Sequence, residues 1–211
     1  MKNGIIFDMD GTLWDSAEGV AKAWTKVIQR EHDKDMIVTE QDVKSVMGKT
    51  MDVIADLIFP DLDKAYRTEL LDRCCEYENE YLQEHGAVLY PKLEETLQKL
   101  MQDHDLYIVS NCQCGYIEAF LNHYGFGKYF KDIECYGNNL KSKGDNIRLI
   151  VERNRIQNPY YVGDIQGDYE ASAQAGVGFI HAAYGFGTIA VDVPRIEAFE
   201  QLPEVLRKLH I

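Results

Sequence analysis

The alternation of short apolar segments with helix-length segments in the second half of the chain restricts the fold more than any other sequence feature. Strands and helices that alternate in this way build right-handed crossover units and a parallel sheet. After Gly86 the predicted elements are helix Leu93–Gln102, strand Leu106–Ser110, helix Tyr116–Tyr124, strand Ile133–Tyr136, helix Asp145–Asn154, strand Tyr160–Gly163, helix Tyr169–Ala175 and strand Gly178–Ala182. The sequence therefore predicts an α/β core.

A helical segment interrupts this alternation. Apolar residues recur at spacings of three and four from Ala17 to Gln29, which is typical of an amphipathic helix. Thr39, with Asp42 three residues later, predicts a capped helix that begins near Glu40. Helical periodicity continues in Met51–Phe59 and Lys64–Gln83. No segment between residues 16 and 85 has the pattern of a strand.

The first predicted strand, Asn3–Phe7, precedes this helical segment, whereas the other strands follow it. The segment is therefore interpreted as an insertion after the first strand. The predicted fold class is α/β, with a Rossmann-like parallel sheet core and an inserted all-helical cap. The core would comprise residues 1–15 and 86–211, and the cap residues 16–85.

Charge and composition restrict the partners. The chain has 211 residues and a formal net charge of −13. Nucleic acids and anionic membranes are therefore not expected as partners, because their binding relies on clustered Lys and Arg. The apolar segment Ile5–Phe7 is too short for a signal peptide, so a cytoplasmic location is expected. Any anion site in this chain needs a local positive charge from a metal or a lysine.

Polar residues follow the predicted strands at their carboxyl ends, where parallel sheets bind ligands. They are Asp8 and Asp10 after the first strand, Ser110 and Asn111 after the next, Asp164 and Asp168 after Gly163, and Lys141 and Lys143 before a predicted helix. The fold would gather these distant positions at one edge. Of the two lysines, spacing favours Lys143 over Lys141 for a site role.

Three of these side chains, Asp8, Asp10 and Asp164, would repel one another unless a cation neutralised them. Mg²⁺ fits best, because it prefers one or two carboxylates together with waters and phosphate oxygens. Ser110 and Lys143 would supply a hydrogen-bond donor and a positive charge to a phosphoryl group. The pattern predicts magnesium-dependent phosphoryl transfer with a small phosphorylated metabolite as the partner.

These residues resemble the motifs of the haloacid dehalogenase superfamily, in the subgroup of phosphatases that has a helical cap after the first strand. The D-x-D-G-T motif of the family is similar to Asp8-Met9-Asp10-Gly11-Thr12, and its Ser/Thr motif to Ser110-Asn111. The lysine of the family fits Lys143, and its G-D-x-x-x-D motif fits Gly163 to Asp168. Four motifs in the family's order, spread over nearly the whole chain, form a specific signal.

The resemblance implies roles for these residues. Asp8 would be the nucleophile that forms an aspartyl-phosphate, and Asp10 the general acid and then the general base. Asp8 and Asp164, with Asp10 contributing its backbone carbonyl, would hold Mg²⁺. Ser110, Asn111 and Lys143 would bind the phosphate. Gly11, Thr12 and Asp168 would have supporting roles, Asp168 at the metal or on Lys143. The expected activity is hydrolysis of a small phosphomonoester.

The predicted cap offers one candidate substrate contact. Gly48-Lys49-Thr50 lies between two predicted cap helices, where capped members of the family place a loop that contacts the substrate. Lys49 could meet the polar end of the substrate. An exposed lysine in a turn is equally often without a role, so both readings stay open.

Other activities are compatible with parts of this pattern. A sugar-phosphate mutase similar to β-phosphoglucomutase shares the aspartyl-phosphate, but such relatives carry a histidine early in the first cap helix, where this chain has Gly19 and Val20. Dehalogenases lack the second aspartate, which here is Asp10. A receiver-type signalling module also pairs an Asp with Mg²⁺ and a Lys, but it is smaller and has no cap. A hydrolytic enzyme is therefore favoured.

Overall fold

The structure is a computed structural model that describes residues 3–211. Its strands are β1 (Asn3–Phe7), β2 (Trp14–Asp15), β3 (Val88–Leu89), β4 (His104–Ser110), β5 (Phe130–Cys135), β6 (Gln157–Gly163), β7 (Gly178–Ala182) and β8 (Arg195–Ile196). Six of them form one sheet in the order β5-β4-β1-β6-β7-β8, in which every neighbouring pair is parallel. The strand that begins the chain thus lies inside the sheet, between β4 and β6.

Helices cover the sheet and fill the insertion. They are α1 (Ala17–Glu31), α2 (Glu40–Val46), α3 (Met51–Ile58), α4 (Lys64–His85), α5 (Leu93–Asp103), α6 (Tyr116–Tyr124), α7 (Tyr136–Asn139), α8 (Lys143–Asn154), α9 (Gln166–Ala175) and α10 (Leu202–Lys208), with 3-10 turns at Phe126–Lys128 and Phe199–Gln201. Within residues 3–211, no helix combines the length and the apolar character needed to cross a membrane. The α/β fold with inserted helices is confirmed.

The strands of the central sheet are apolar because both faces of the sheet are covered. In β1, Ile5, Ile6 and Phe7 are each fully buried. Ile5 and Phe7 belong to one hydrophobic cluster and Ile6 to another, since successive side chains of a strand point to opposite faces. This two-sided burial explains why the predicted strands are short, continuous apolar runs.

The inserted helices contact one another and the core. Helix α1 packs against α4 and α2, and α4 also packs against α6 of the core. Helix α2 starts as predicted: the Asp42 N–H donates to the Thr39 hydroxyl over 3.2 Å, and the Thr39 N–H donates to the Asp42 carboxylate over 2.8 Å. Two short strands pair at the base of the insertion, with Trp14 opposite Leu89.

The predicted helix start at Asp145 is wrong by two residues. Helix α8 begins at Lys143, because the Ser142 hydroxyl accepts the Asp145 N–H and caps the helix. Helix α9 begins at Gln166 rather than at Tyr169, so Asp168 lies in its first turn. The predicted strand Ile133–Tyr136 runs from Phe130 to Cys135 instead.

Several elements have no sequence prediction at all. The β2–β3 pair has two residues in each strand, too few to show an alternating pattern. The elements after Ala182, namely β8, the 3-10 turn Phe199–Gln201 and α10, also lack a predicted counterpart. All five cysteines are free thiols, four of them buried.

Candidate active site

Three neighbouring strands bring the motif residues together. Strands β4, β1 and β6 are adjacent in the sheet, and they end at Ser110, Phe7 and Gly163. Asp8 follows β1 directly and its N–H donates to the Val162 carbonyl over 2.9 Å, so the chain stays in register at the start of the site. The carboxyl ends of these strands therefore carry the first, second and fourth motifs side by side.

Lys143 connects the first motif to the last. Its ammonium group donates to Oδ1 of Asp8 over 3.0 Å and to Oδ1 of Asp168 over 2.6 Å. All three side chains are buried. Lys141, two residues earlier, is exposed. Lys143 thus contacts two motif aspartates, and its preference over Lys141 for the phosphate-binding role stays a prediction.

Asp168 fixes the backbone of its own motif. Its Oδ2 accepts the N–H groups of Asp164 and Ile165 over 2.9 and 3.1 Å, while its Oδ1 holds Lys143. Both oxygens are therefore used inside the protein. Asp168 orients the lysine and the turn after β6, and its supporting role in catalysis stays a prediction.

The carboxylates of Asp8, Asp164 and Asp168 form one buried cluster. Each offers an oxygen that lies within 4.8 Å of the others. Burial raises the pKa of Asp8 to about 7, with repulsion from Asp168 adding to the effect and Lys143 opposing it. Burial also raises the pKa of Asp164, and repulsion from Asp168 and Asp8 raises it further. One lysine does not balance three buried acids, so this donor set fits a divalent cation.

Gly11 allows the cluster to form. Its φ is +81°, and a Cβ at this position would lie 2.1 Å from Oδ2 of Asp164. Any larger residue would displace that carboxylate. The neighbouring Thr12 is fully buried, and its backbone carbonyl accepts the Tyr184 hydroxyl over 2.8 Å. Gly11 thus permits the close approach of this turn to Asp164, Thr12 joins the turn to Tyr184, and their supporting roles stay predictions.

Asp10 occupies different surroundings. Its Oδ1 accepts hydrogen bonds from the Tyr116 hydroxyl over 2.6 Å and from the Ser16 hydroxyl over 2.7 Å. Burial raises the pKa of Asp10, and these hydrogen bonds oppose the rise. The side chain of Asp10 is not part of the three-carboxylate cluster, although its charge contributes to the raised pKa of Asp8. The metal contact implied for its backbone carbonyl stays a prediction.

A cavity between the core and the inserted helices contains the catalytic candidates. Asp8, Asp10, Ser110, Asn111 and Lys49 all line it. The cavity volume is about 40 Å³, enough for a few water molecules. On the side of the inserted helices, the lining residues are Val20, Trp24, Val43, Val46, Met47, Gly48, Met51, Ile54 and Glu78.

Asn111 links the second motif to the loop that contains Lys49. Its amide nitrogen donates to the Gly48 carbonyl over 2.9 Å, while its amide oxygen is buried and has no hydrogen-bond partner among the described residues. In this arrangement the donor expected to bind phosphate is directed to the loop instead. A Cβ on Gly48 would lie 2.4 Å from Cδ1 of Ile165, so the loop also packs closely on the turn after Asp164.

Sequence reasoning missed three residues of the site: Ser16, Tyr116 and Glu78. Ser16 and Tyr116 hold Asp10, yet they belong to no motif and lie on different elements. Glu78 lies on the long helix α4, whose composition is largely polar, so its sequence gives no sign that one glutamate is buried. Only the packing of α4 against α1 and α6 shows its position.

Comparison with known proteins places the chain in a family. A family model described as haloacid dehalogenase-like hydrolase matches residues 5–182. The chain is also similar to a protein named phosphoglycolate phosphatase from Vibrio vulnificus (strain CMCP6), with 27% identity over 194 residues that cover 86% of this chain and 84% of the relative.

Solved structures share the fold. A hydrolase of the haloacid dehalogenase-like family from Streptococcus pneumoniae superposes with a TM-score of 0.79 at 20% identity, covering 96% of this chain and 98% of its own. A 2-haloacid dehalogenase from Pseudomonas syringae pv. Tomato DC3000 superposes with a TM-score of 0.67 at 21% identity, covering 99% and 100%. These likenesses concern the fold alone. With the family model matching most of its length, the chain belongs to the haloacid dehalogenase-like hydrolases, and the prediction of an enzyme of the phosphatase type is confirmed.

Proposed function

We propose that this enzyme hydrolyses small phosphate monoesters through an aspartyl-phosphate intermediate on Asp8. One observation carries the proposal: the buried Asp8 carboxylate, held by Lys143, lines the same cavity as Asp10 and Ser110. The proposed nucleophile (Asp8), the general acid (Asp10) and the hydroxyl donor (Ser110) thus line one space between the core and the cap. The relatives named phosphoglycolate phosphatase support a phosphate ester as the substrate.

The reaction consists of two displacements at phosphorus. In the first, an oxygen of Asp8 bonds to phosphorus, the bond from phosphorus to the alcohol oxygen breaks, and Asp10 gives its proton to the departing alkoxide. In the second, Asp10 takes a proton from a water that attacks the same phosphorus, and the bond to Asp8 breaks. Inorganic phosphate leaves, and both aspartates return to their initial states.

The hydrogen bonds of Asp10 suit this exchange of a proton. Ser16 and Tyr116 both donate to Oδ1, which leaves Oδ2 for the proton that moves. The two hydroxyls also limit rotation of the carboxyl group. The presence of Asp10 favours phosphatase over dehalogenase chemistry, a distinction that the shared fold does not make.

The three-carboxylate cluster is the proposed metal site. Asp8 and Asp164, with the backbone carbonyl of Asp10, would hold Mg²⁺, and Asp168 would keep Lys143 and the adjoining turn in place. A bound Mg²⁺ would supply positive charge to the phosphate oxygens. Ser110 and Lys143 would contribute a hydroxyl donor and an ammonium group to the same oxygens.

We assign residues 16–85 to a cap and residues 1–15 and 86–211 to the catalytic core. The cap helices contribute one wall of the cavity that Asp8 and Asp10 line, so the position of the cap would control the entry of a phosphate ester. Lys49 is exposed at the edge of this cavity, where it would contact the polar end of the substrate. The cytoplasmic location stays a prediction from the sequence.

Replacing the nucleophile tests the chemistry. Asp8→Asn is expected to lower kcat for p-nitrophenyl phosphate by at least about a thousandfold, because the carboxylate that attacks phosphorus is gone. The circular dichroism spectrum should be unchanged. The matched control is Asp61→Asn, which alters an exposed aspartate in a cap loop. Asp8→Asn activity within tenfold of wild type would disprove the nucleophile assignment.

Metal addition tests the carboxylate cluster without relying on activity. Mg²⁺ should raise the thermal unfolding midpoint, since a ligand at about 100 times its Kd stabilises the folded state by about 2.7 kcal/mol. Asp164→Asn should lose most of this shift. Sodium chloride at the same ionic strength separates binding from charge screening. An equal shift with NaCl alone would argue against a specific site.

The two lysines provide a matched pair. Lys143→Met should reduce the free energy of unfolding by about 3–5 kcal/mol, because it leaves buried carboxylates without their partner. Lys141→Met should stay within about 0.5 kcal/mol of wild type, as expected for an exposed position. Urea denaturation followed by circular dichroism measures both. Equal effects in the two variants would show that Lys143 does not hold the cluster.

Lys49 tests the contribution of the cap loop. Lys49→Ala should lower kcat/KM on the best ester of a substrate screen about two- to fivefold, mainly through KM, because an exposed charge contributes little binding energy. Lys34→Ala, at another exposed cap lysine, is the control. An unchanged kcat/KM in Lys49→Ala would remove Lys49 from the substrate site.

A further inference from the structure

Glu78 is a buried acid that the proposed mechanism does not use. It lies on α4, is 3% exposed and lines the cavity from the cap side. One of its oxygens, Oε2, accepts the indole N–H of Trp24, and the side-chain amide of Gln113, which donates to Asn79 over 3.0 Å, lies near enough to oppose the rise in the pKa of Glu78. No lysine or arginine among residues 3–211 forms an ion pair with it. Glu78 thus has polar partners but no counter-charge.

Keeping this carboxyl in place is costly for the protein. Burial raises the pKa of Glu78 to about 8, and the nearby Asp10 contributes to the rise while the two donors oppose it. A buried carboxyl group without a cation is unfavourable when ionised. This raised pKa keeps Glu78 mostly protonated near neutral pH, and a substrate group that donates a hydrogen bond or brings a positive charge would stabilise its ionised form.

The surroundings of Glu78 restrict what that group can be. The rest of the cap wall is largely apolar, and among the described residues that line the cavity Lys49 is the single cation. Lys49 is exposed, whereas Glu78 is buried and within electrostatic reach of Asp10. The buried cation of the site, Lys143, is on the core side and already holds Asp8 and Asp168, so an anionic group next to the cap wall would meet Glu78 and Asp10 without a buried cation beside it.

We propose that Glu78 selects the alcohol part of the substrate, favouring phosphate esters whose alcohol part carries a hydroxyl or ammonium group and disfavouring those that carry a carboxylate. The assignment rests on the proposed phosphatase function. Asp10 would meet the oxygen that leaves phosphorus, and Glu78 would contact the group one or two carbons beyond it. The chain would then differ in preference from the relatives named phosphoglycolate phosphatase, to which its identity is 27%.

Four esters with a two-carbon alcohol part test this preference in the wild-type enzyme. In ethyl phosphate the second carbon is a methyl group, in 2-hydroxyethyl phosphate and phosphoethanolamine it carries a hydroxyl or an ammonium group, and in phosphoglycolate it is a carboxylate carbon. With Mg²⁺ present, kcat/KM for the hydroxyl and ammonium esters should exceed that for phosphoglycolate at least about tenfold, in line with a hydrogen bond to a charged group. Phosphoglycolate should also fall below ethyl phosphate.

Glu78→Gln tests the residue itself, because the amide keeps an acceptor for Trp24 and removes the acid. The ratio of kcat/KM for phosphoethanolamine to that for ethyl phosphate should fall about tenfold, and the ratio for phosphoglycolate to ethyl phosphate should rise. The control, Glu80→Gln, changes an exposed glutamate on the same helix and should preserve both ratios. Thermal unfolding of each variant reports its folding separately.

The outcomes are distinct. A wild-type preference for phosphoglycolate, or a Glu78→Gln variant whose rates change equally on all four esters, overturns the role of Glu78 in selection while leaving the phosphatase intact. Failure of the wild type to hydrolyse any of the four esters or p-nitrophenyl phosphate overturns the proposed function, and the selection with it. The proposal is supported if both kcat/KM ratios change as expected in Glu78→Gln and stay the same in Glu80→Gln.

Discussion

The buried contact of Lys143 with Asp8 and Asp168 is the interaction on which the rest of the site depends. Lys143 lies 135 positions after Asp8 and 25 positions before Asp168 in the sequence, and the contact holds all three at the carboxyl edge of the sheet. Because one ammonium group cannot neutralise three buried carboxylates, the site keeps an excess of negative charge that a divalent cation can balance. Such a cation would in turn bind phosphate oxygens, which explains how a chain with a net charge of −13 could bind an anion.

The topology makes this contact possible. Since β1 lies between β4 and β6, the insertion after β1 brings the helical segment next to the ends of both neighbours. The inserted helices and the edge of the sheet therefore enclose the space above Asp8. The hydrogen bond from Asn111 to Gly48 and the close packing of Gly48 on Ile165 tie the loop around Gly48 to two of the motif-bearing turns.

The fold and the motif residues of the site could be predicted from sequence because they depend on local patterns. The alternation of strands and helices predicts the parallel sheet, and strand ends predict which distant residues meet. Spacing favours Lys143 over Lys141. In contrast, the partners of Asp10 come from packing: Ser16 precedes α1 and Tyr116 begins α6, and no pattern in either segment indicates that their hydroxyls meet at one oxygen. Glu78 was hidden for the same reason, since α4 is polar on most of its surface.

In the proposed reaction, the residues that could be predicted from sequence would bind the phosphoryl group, and those that could not would contact the alcohol part of the substrate. The phosphoryl group is the same in every phosphomonoester, so the residues that would handle it can belong to short motifs at fixed strand ends. The alcohol part varies, and here it would be met by cap side chains whose positions depend on how α4 packs against α1 and α6. At 27% identity, a relative can share every motif and still present a different cap wall. The preference of this chain would therefore depend on the buried polar groups of its inserted helices, among which Glu78 lines the cavity and forms no ion pair among the described residues.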